Sequence, residues 1–303
     1  MEADAAIIEV GVNEAITPAA HPNVPQRPED CAADARRCAA AGAAILHWHA
    51  VDAEGRQQLS DASLYGAALD AMDGCVLAYP SYPIDVPDTI DDRVAHCLAL
   101  RERHGMELAP VDVASVNIVV ADPDGRAIAP LEPAPGFDVI RNSLPFVVAA
   151  LERYHAVGLV PTLAAFDVGS TRAIAALAHA GLVRQPILLK IFLWGSPLIG
   201  PRPSVEALDL HLQQLPSDLD VEWVVVPYGM TDPGRVEELG RAALARGGGI
   251  RVGVGDSPHA FPDATNATLV ELASRWAADA GRPVASADDV RARLGTSRTR
   301  GTR

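Results

Sequence analysis

Two histidines separated by one residue, His47 and His49, close an apolar run that begins at Ala43. Side chains alternate between the faces of a strand, so both histidines would lie on one face and Trp48 on the other. Two imidazoles on one face at the end of a strand can bind one divalent metal. The alternative is a pair of surface histidines on a strand edge. Their place at the end of a buried-looking strand favours the metal site.

The elements that must position these histidines alternate along the whole chain. Eight apolar runs, beginning with residues 6–12 and ending with residues 250–254, are each followed by a segment with helical features. Strict alternation predicts a parallel sheet, and eight units in 303 residues predict a single-domain (β/α)8 barrel over residues 1–295. The alternative is an open doubly wound sheet, which usually carries a glycine fingerprint that Gly11-Val12-Asn13-Glu14 lacks.

Two segments are expected to lack regular structure. The fourth strand is predicted over residues 111–120, and a loop with four prolines follows it over residues 121–138. Residues 296–303 form a polar, basic tail, which we expect to be disordered. The long loop would cover part of a site at the end of the fourth strand.

Polar residues follow the predicted strands, where barrel enzymes carry their chemistry. The set comprises Asn13, Glu14, His47, His49, Tyr79, Ser81, Tyr82, Ser115, Asn117, Asp167, Lys190, Tyr228, Arg251, Asp256 and His259. Single members also have purely structural interpretations. Lys190 would be an interior charge paired with an acid, and Arg251 would neutralise Asp256. Asn117 would form hydrogen bonds with the loop backbone. A histidine pair, an arginine, an aspartate and hydroxyls at one mouth together indicate catalysis.

Composition excludes several classes of partner. The net charge of -14 argues against nucleic acid and anionic membranes, which both need basic patches. The four cysteines form no CxxC pair, so we interpret them as reduced core residues of a cytoplasmic protein. The first residues lack the features of a signal peptide, and no uncharged apolar run reaches the roughly 18 residues of a membrane span.

Several motifs in sequence order resemble one known family. They are His21-Pro22-Asn23-Val24-Pro25, Ala41-Gly42-Ala43-Ala44-Ile45-Leu46-His47-Trp48-His49, Tyr79-Pro80-Ser81-Tyr82, Ala114-Ser115-Val116-Asn117, Gly249-Ile250-Arg251-Val252-Gly253-Val254-Gly255-Asp256 and Thr265-Asn266-Ala267-Thr268-Leu269-Val270. From about Ile7 to Arg293 the chain resembles the β-keto acid cleavage enzymes, typified by 3-keto-5-aminohexanoate cleavage enzyme.

The resemblance implies a (β/α)8 barrel that forms a homo-oligomer, a dimer or a tetramer. It implies a divalent metal, typically zinc, and a reaction of a β-keto acid with acetyl-CoA to give acetoacetate and a new acyl-CoA. The metal would polarise the keto carbonyl as a Lewis acid. The implied metal ligands are His47 and His49, and the implied base is Asp256, held by Arg251. Ser81 and Ser115 would contact the substrate or the developing oxyanion. Asn117, Lys190 and Glu14 would bind the substrate.

Three positions depart from the family pattern. Gly255 stands where the family has a glutamate metal ligand, so the third ligand is open among His259, Asp167 and Glu14. The family's strand-one acid aligns with Ala15, one residue after Glu14, and a shift of one residue reverses the face in an extended strand.

The third departure is Lys190, which replaces a neutral residue. It would bind a substrate carboxylate, hold a nearby acid, or form a Schiff base if desolvated. Basic residues available for CoA at the barrel rim are Arg141, Arg184 and Arg202. Two other functions stay open: a metal-dependent aldolase, lyase or hydrolase without CoA, and a barrel that only binds a metabolite.

Overall fold

The computed structural model describes residues 5–83, 89–119 and 139–298. Their strands, in chain order, are β1 (Ile8–Gly11), β2 (Ile45–His47), β3 (Leu77–Tyr79), β4 (Leu108–Asp112), β5 (Val116–Asn117), β6 (Val139–Ile140), β7 (Val160–Ala165), β8 (Ile187–Trp194), β9 (Val221–Tyr228) and β10 (Gly249–Val252). All except β5 and β6 form one parallel sheet in the order β3-β2-β1-β10-β9-β8-β7-β4. The end strands β3 and β4 adjoin each other, so the sheet curves into a barrel.

A helix follows every strand of this sheet. The helices of the described residues are α1 (Pro28–Ala41), α2 (Ala62–Met72), α3 (Ile90–His104), α4 (Leu144–Ala156), α5 (Val168–His179), α6 (Val205–Leu212), α7 (Pro233–Ala245), α8 (Asn266–Asp279) and α9 (Ala287–Leu294). The predicted (β/α)8 barrel is therefore confirmed, and the open sheet is wrong. No helix within the described ranges is both long and apolar enough to cross a membrane.

Local sequence explains where the helices begin and end. Pro28 opens α1, because the first N–H groups of a helix have no intrahelical acceptor and a proline there loses no hydrogen bond. Gly42 ends α1 at φ +117°, a conformation that favours glycine. Asp61 caps α2, because its side chain accepts the N–H groups of Ser63 and Leu64. These signals fix the lengths of the helices that cover the barrel.

Alternation along the strands separates two cores. Ile8 and Val10 of β1 pack outward against the helices, whereas Ile7 joins a smaller inner cluster. Trp48 also faces outward and packs edge-on against Tyr65, as the alternation predicts. The last helix, α9, places Val290 and Leu294 in the inner cluster, so it closes the end of the barrel opposite the site.

The fourth strand is shorter and earlier than predicted. It ends at Asp112, and Val116 and Asn117 pair instead with Ile140 and Val139 in a separate antiparallel ribbon. Exposed Ser115 interrupts the apolar run, so the run contains two elements rather than one strand. The proline-rich segment 121–138 lies outside the described residues, and so does the tail from residue 299. The expected disorder of residues 296–303 stays a prediction.

The four cysteines agree with the predicted structural role. Cys31, Cys38 and Cys97 are buried, Cys75 is half-buried, and all four are unpaired thiols. Burial raises the pKa of Cys97 to about 12. These thiols are therefore protonated core residues rather than nucleophiles.

Candidate active site

Three side chains meet at the mouth of the barrel: Glu14, His47 and His49. Their ligand atoms all lie within 4.8 Å of one another. Glu14 Oε1 is 3.0 Å from His47 Nε2, and Glu14 Oε2 is 3.2 Å from His49 Nε2. Each side chain is at most 13% exposed, so the three groups form an enclosed polar cluster.

Two segments position this cluster, the end of β2 and the turn after β1. His47 ends β2, and His49 lies two residues beyond it. Asn13 fixes the second histidine: its Oδ1 accepts the N–H of His49 at 2.8 Å, and its Nδ2 donates to the carbonyl of His49 at 2.9 Å. Glu14 lies in the turn after β1 at φ +39°, a backbone conformation that residues other than glycine rarely adopt. The turn brings the carboxylate to the imidazoles.

Hydrogen bonds assign the tautomers of both histidines. His47 Nδ1 is 3.2 Å from the carbonyl oxygen of Tyr79, which only accepts, so Nδ1 carries the proton. Gln57 Nε2 donates to the carbonyl of Glu14 at 2.7 Å, which leaves Gln57 Oε1 to accept from His49 Nδ1 at 2.6 Å. Each imidazole therefore presents its Nε2 lone pair to Glu14.

This arrangement fits a divalent metal. Burial lowers the pKa of His47 to about 3, so its ring is neutral. Burial works against the charged form of Glu14, but the positive charge of Arg251, which donates to Glu14 Oε1, helps to keep the pKa of Glu14 well below its usual range. Imidazole lone pairs that face an ionised carboxylate repel it unless a cation lies between them. Two histidines and one acid also form the ligand set of several catalytic zinc sites.

Arg251 joins this cluster to Asp256. The buried guanidinium donates from Nε to both oxygens of Asp256 at 3.1 Å and from Nη2 to Oδ1 at 2.6 Å. The same Nη2 donates to Glu14 Oε1. Burial raises the pKa of Asp256 to about 7, although Arg251 acts in the opposite direction. Asp256 therefore lies beside the cluster as a carboxyl group that exchanges a proton near neutral pH.

A second set of buried groups lies inside the barrel. Lys190 Nζ donates to the hydroxyl of Tyr79 at 3.0 Å and lies 4.4 Å from the centre of that ring. The Tyr79 hydroxyl donates to Glu9 Oε1, which also accepts from Arg251 Nη1 at 3.3 Å. Burial lowers the pKa of Lys190 to about 8, while Glu9 opposes that shift. The contacts agree with Lys190 as an interior charge near an acid.

In the described part of the chain, three predicted site residues make no hydrogen bond to Glu14, His47 or His49. Ser81 is buried, and its hydroxyl donates to the carbonyl of Leu59 at 3.1 Å and lies 2.8 Å from the hydroxyl of Tyr65. Ser115 and Asn117 are exposed beyond β4 because that strand ends early. Contact of these three with substrate stays a prediction.

The other candidates for a third ligand have different places. Asp167 caps α5, with Oδ1 accepting the N–H of Ser170 at 2.6 Å. His259 is exposed on a cavity wall, and Ala15 is exposed beside Glu14. A Cβ on Gly255 would lie 2.8 Å from the backbone nitrogen of Glu14, so the turn that carries Glu14 leaves no room for a side chain there.

Two residues that hydrogen-bond to side chains of the site, Glu9 and Gln57, have no role assigned from the sequence alone. Glu9 interrupts the apolar first strand, and its alternation with Gly11 was a usable signal for an inward carboxylate. Gln57 follows β2 by ten residues in a loop without regular spacing. Nothing in the local pattern indicated that Gln57 would orient His49.

Comparison with known proteins agrees with this geometry. Residues 5–296 match the model of the beta-keto acid cleavage enzymes. The chain belongs to the beta-keto acid cleavage enzyme family. The suspected resemblance is thereby confirmed, and the family makes this chain an enzyme. Among the described residues of this beta-keto acid cleavage enzyme, Glu14, His47 and His49 are the one group of three with the spacing of a metal site.

One curated relative and two solved structures illustrate the range of similarity. The chain is 24% identical to 3-dehydrocarnitine:acetyl-CoA trimethylamine transferase of Rhizobium meliloti (strain 1021), over 94% of this chain and 93% of that protein. A ternary complex of ObcA with a C4-CoA adduct and oxalate has a TM-score of 0.66 at 17% identity, covering 90% of this chain and 68% of that one.

A more distant structure shares only the architecture. Type I 3-dehydroquinate dehydratase from Clostridium difficile has a TM-score of 0.53 at 8% identity, over 91% of this chain and 93% of that one. At these identities the solved structures show the barrel fold of this beta-keto acid cleavage enzyme and nothing of its substrate.

Proposed function

We propose that this enzyme is metal-dependent and converts a β-keto acid and acetyl-CoA into acetoacetate and a new acyl-CoA. The observation that carries the proposal is the Glu14–His47–His49 cluster, joined through Arg251 to Asp256. Family membership supplies the reaction class. The curated relative from Rhizobium meliloti is named as an acetyl-CoA-dependent transferase, which supports the co-substrate.

Glu14, His47 and His49 would hold the metal, for which zinc suits the donor set. A divalent cation there supplies a Lewis acid that polarises the keto carbonyl of the substrate. The protein's own part is to hold the three donors in place. Tyr79 and Gln57 do so through the histidine Nδ1 protons, and the buried surroundings exclude bulk water.

Asp256 is the proposed base. It removes the proton from the carbon between the keto and carboxylate groups, and the raised pKa suits that role near neutral pH. Arg251 holds the carboxylate in a fixed orientation with three hydrogen bonds. Its positive charge also stabilises negative charge that develops nearby.

The carbon skeleton then changes in two balanced steps. The substrate carbanion attacks the thioester carbonyl of acetyl-CoA, forming a carbon–carbon bond and releasing the CoA thiolate. That thiolate attacks the original keto carbonyl, and the adjacent carbon–carbon bond breaks. Protonated Asp256 returns its proton to the leaving carbanion, so acetoacetate and the new acyl-CoA are the products.

A panel of β-keto acids tests this function. The metal-loaded enzyme is incubated with each acid, with and without acetyl-CoA, and products are identified by mass spectrometry. The proposal predicts acetoacetate and a new acyl-CoA in equal amounts, with carbon from labelled acetyl-CoA in the acetoacetate. Cleavage that proceeds equally without acetyl-CoA would replace the proposal with a lyase or hydrolase.

A further inference from the structure

A cavity of about 810 Å³ opens from the site between the β8–α6 and β9–α7 connections. Its buried wall includes Asp256 and Trp194, and its exposed part includes Arg202. Pockets for drug-sized ligands span roughly 300–1,000 Å³, so this one lies toward the large end and exceeds the need of a short keto acid. The cavity has room for a long ligand whose reactive end lies at Asp256.

The middle of the cavity is apolar and aromatic. The rings of Trp194 and Tyr228 have centroids 4.8 Å apart, and Met230 and Ile199 are buried beside them. The indole N–H of Trp194 is buried and has no acceptor within the described residues. This wall suits a thin, mostly apolar chain that carries an occasional carbonyl acceptor.

The outer edge of the cavity is cationic. Arg202 is exposed and makes no hydrogen bond or ion pair with the described residues. Arg235, in the first turn of α7, has Glu238 as its charge partner, and α6 begins beside it after Ser204. Asp232, an acid of the lining directly before α7, accepts the N–H of Gly234 at 2.9 Å as a helix cap. Two guanidinium groups beside two helix N-termini favour phosphate groups.

We propose that this cavity binds acetyl-CoA lengthwise: the acetyl group at Asp256, the pantetheine arm against Trp194 and Tyr228, and the phosphates at Arg202 and Arg235. The assignment rests on the function proposed above. Of the three arginines that the sequence offers for CoA, only Arg202 lines this cavity. Arg184 lies between α5 and β8, at the opposite end of the barrel, and Arg141 follows β6 outside this cavity.

Kinetics with two thioesters test the assignment. Acetyl-CoA and acetyl-pantetheine carry the same reactive group, but only acetyl-CoA has phosphates. In the double variant Arg202→Gln, Arg235→Gln, we expect KM for acetyl-CoA to rise by about ten-fold or more, since charge-assisted hydrogen bonds are lost. KM for acetyl-pantetheine and KM for the keto acid should stay within about two-fold of wild type by the same reasoning.

Arg184→Gln is the matched control, because it removes an exposed arginine at the other end of the barrel and should leave every constant unchanged. Thermal unfolding checks that each variant is folded. An equal rise in KM for both thioesters, or no rise, would overturn the assignment, and so would a rise confined to a keto acid with a second carboxylate. If wild type turns over neither thioester, the proposed function fails, and calorimetric binding of CoA to wild type and variant still decides the cavity.

Discussion

Glu14 is the residue on which the proposed metal site depends. Alignment with the family placed the strand-one acid at Ala15, and the alternation rule made Glu14 point to the wrong face. That rule holds only in an extended strand, whereas Glu14 has φ +39° in a turn. The carboxylate therefore reaches both imidazoles. One dihedral angle that the sequence does not reveal decides whether the ligand set is complete.

Asp256 gives the prediction at this scale. Asp256→Asn keeps the shape of the side chain but removes the base, so kcat should fall by at least about a hundred-fold, the ordinary lower bound for general base catalysis. A base works only when deprotonated, so the wild-type rate should fall as pH drops through a pKa that burial raises to about 7. A bound cation would lower that value. The pH dependence of kcat over pH 4–9 measures it.

Metal analysis of the same variant is the control, since this substitution removes no metal ligand. The base assignment is wrong if Asp256→Asn retains both the wild-type rate and the acid limb of the wild-type pH profile.

At the scale of elements, the junction between β1 and β10 explains the glycine at position 255. A Cβ added to Gly255 would lie 2.8 Å from the backbone nitrogens of Asn13 and Glu14 and from the carbonyl oxygen of Gly11. All three obstacles are backbone atoms, which do not move as side chains do. The turn that supplies Glu14 thus occupies the space that a side chain at position 255 needs.

Gly255→Ala should therefore weaken metal binding without touching a ligand. The methyl group must push the Asn13–Glu14 backbone away from the histidines, and we expect the metal dissociation constant to rise by about ten-fold or more, as for changes in the outer shell of metal sites. A competitive chelator titration measures this constant.

Gly169→Ala is the matched control within α5, because its Cβ would meet only Asp167 Oδ1, at 3.3 Å. Its metal affinity should equal that of wild type. Equal affinity in Gly255→Ala would show that the β1–α1 turn tolerates the methyl group and that the packing argument is wrong.

At the scale of the whole molecule, the sequence was sufficient for the order of elements. Buried parallel strands are continuous apolar runs, and helices are marked by caps such as Asp61 and Gly42, so both are visible locally. The end of β4 was missed, because an apolar run does not show where a strand leaves a barrel. Asn117 lies on the β5–β6 ribbon and Ser115 just before it, both exposed, so their contact with substrate stays a prediction.

The sequence indicates the residue types of the candidate metal ligands, but not the hydrogen-bond network of the buried groups around them. His47 and His49 stand together in sequence, and Arg251 precedes Asp256 by five residues. By contrast, Glu9, Tyr79 and Lys190 become neighbours only when distant strands close the barrel. Closure is a tertiary event, so no local spacing indicates which interior charges will pair.

Charge in the barrel also favours a bound cation. Glu9, Glu14 and Asp256 all contact Arg251, and Lys190 is the other cation of this network. When Asp256 is ionised, three buried carboxylates thus face these two side-chain cations. Burial of unbalanced charge is unfavourable, and a divalent metal at Glu14 offsets the excess.

The central claim is that Glu14, His47 and His49 bind one divalent metal. Metal content per chain, measured by mass spectrometry after incubation with zinc and gel filtration, tests it most directly. Wild type should retain about one equivalent, as a three-ligand zinc site does. Glu14→Gln and His47→Ala should lose it, whereas His259→Ala, at an exposed histidine, should keep it. Zinc retained in Glu14→Gln and lost in His259→Ala would contradict the account.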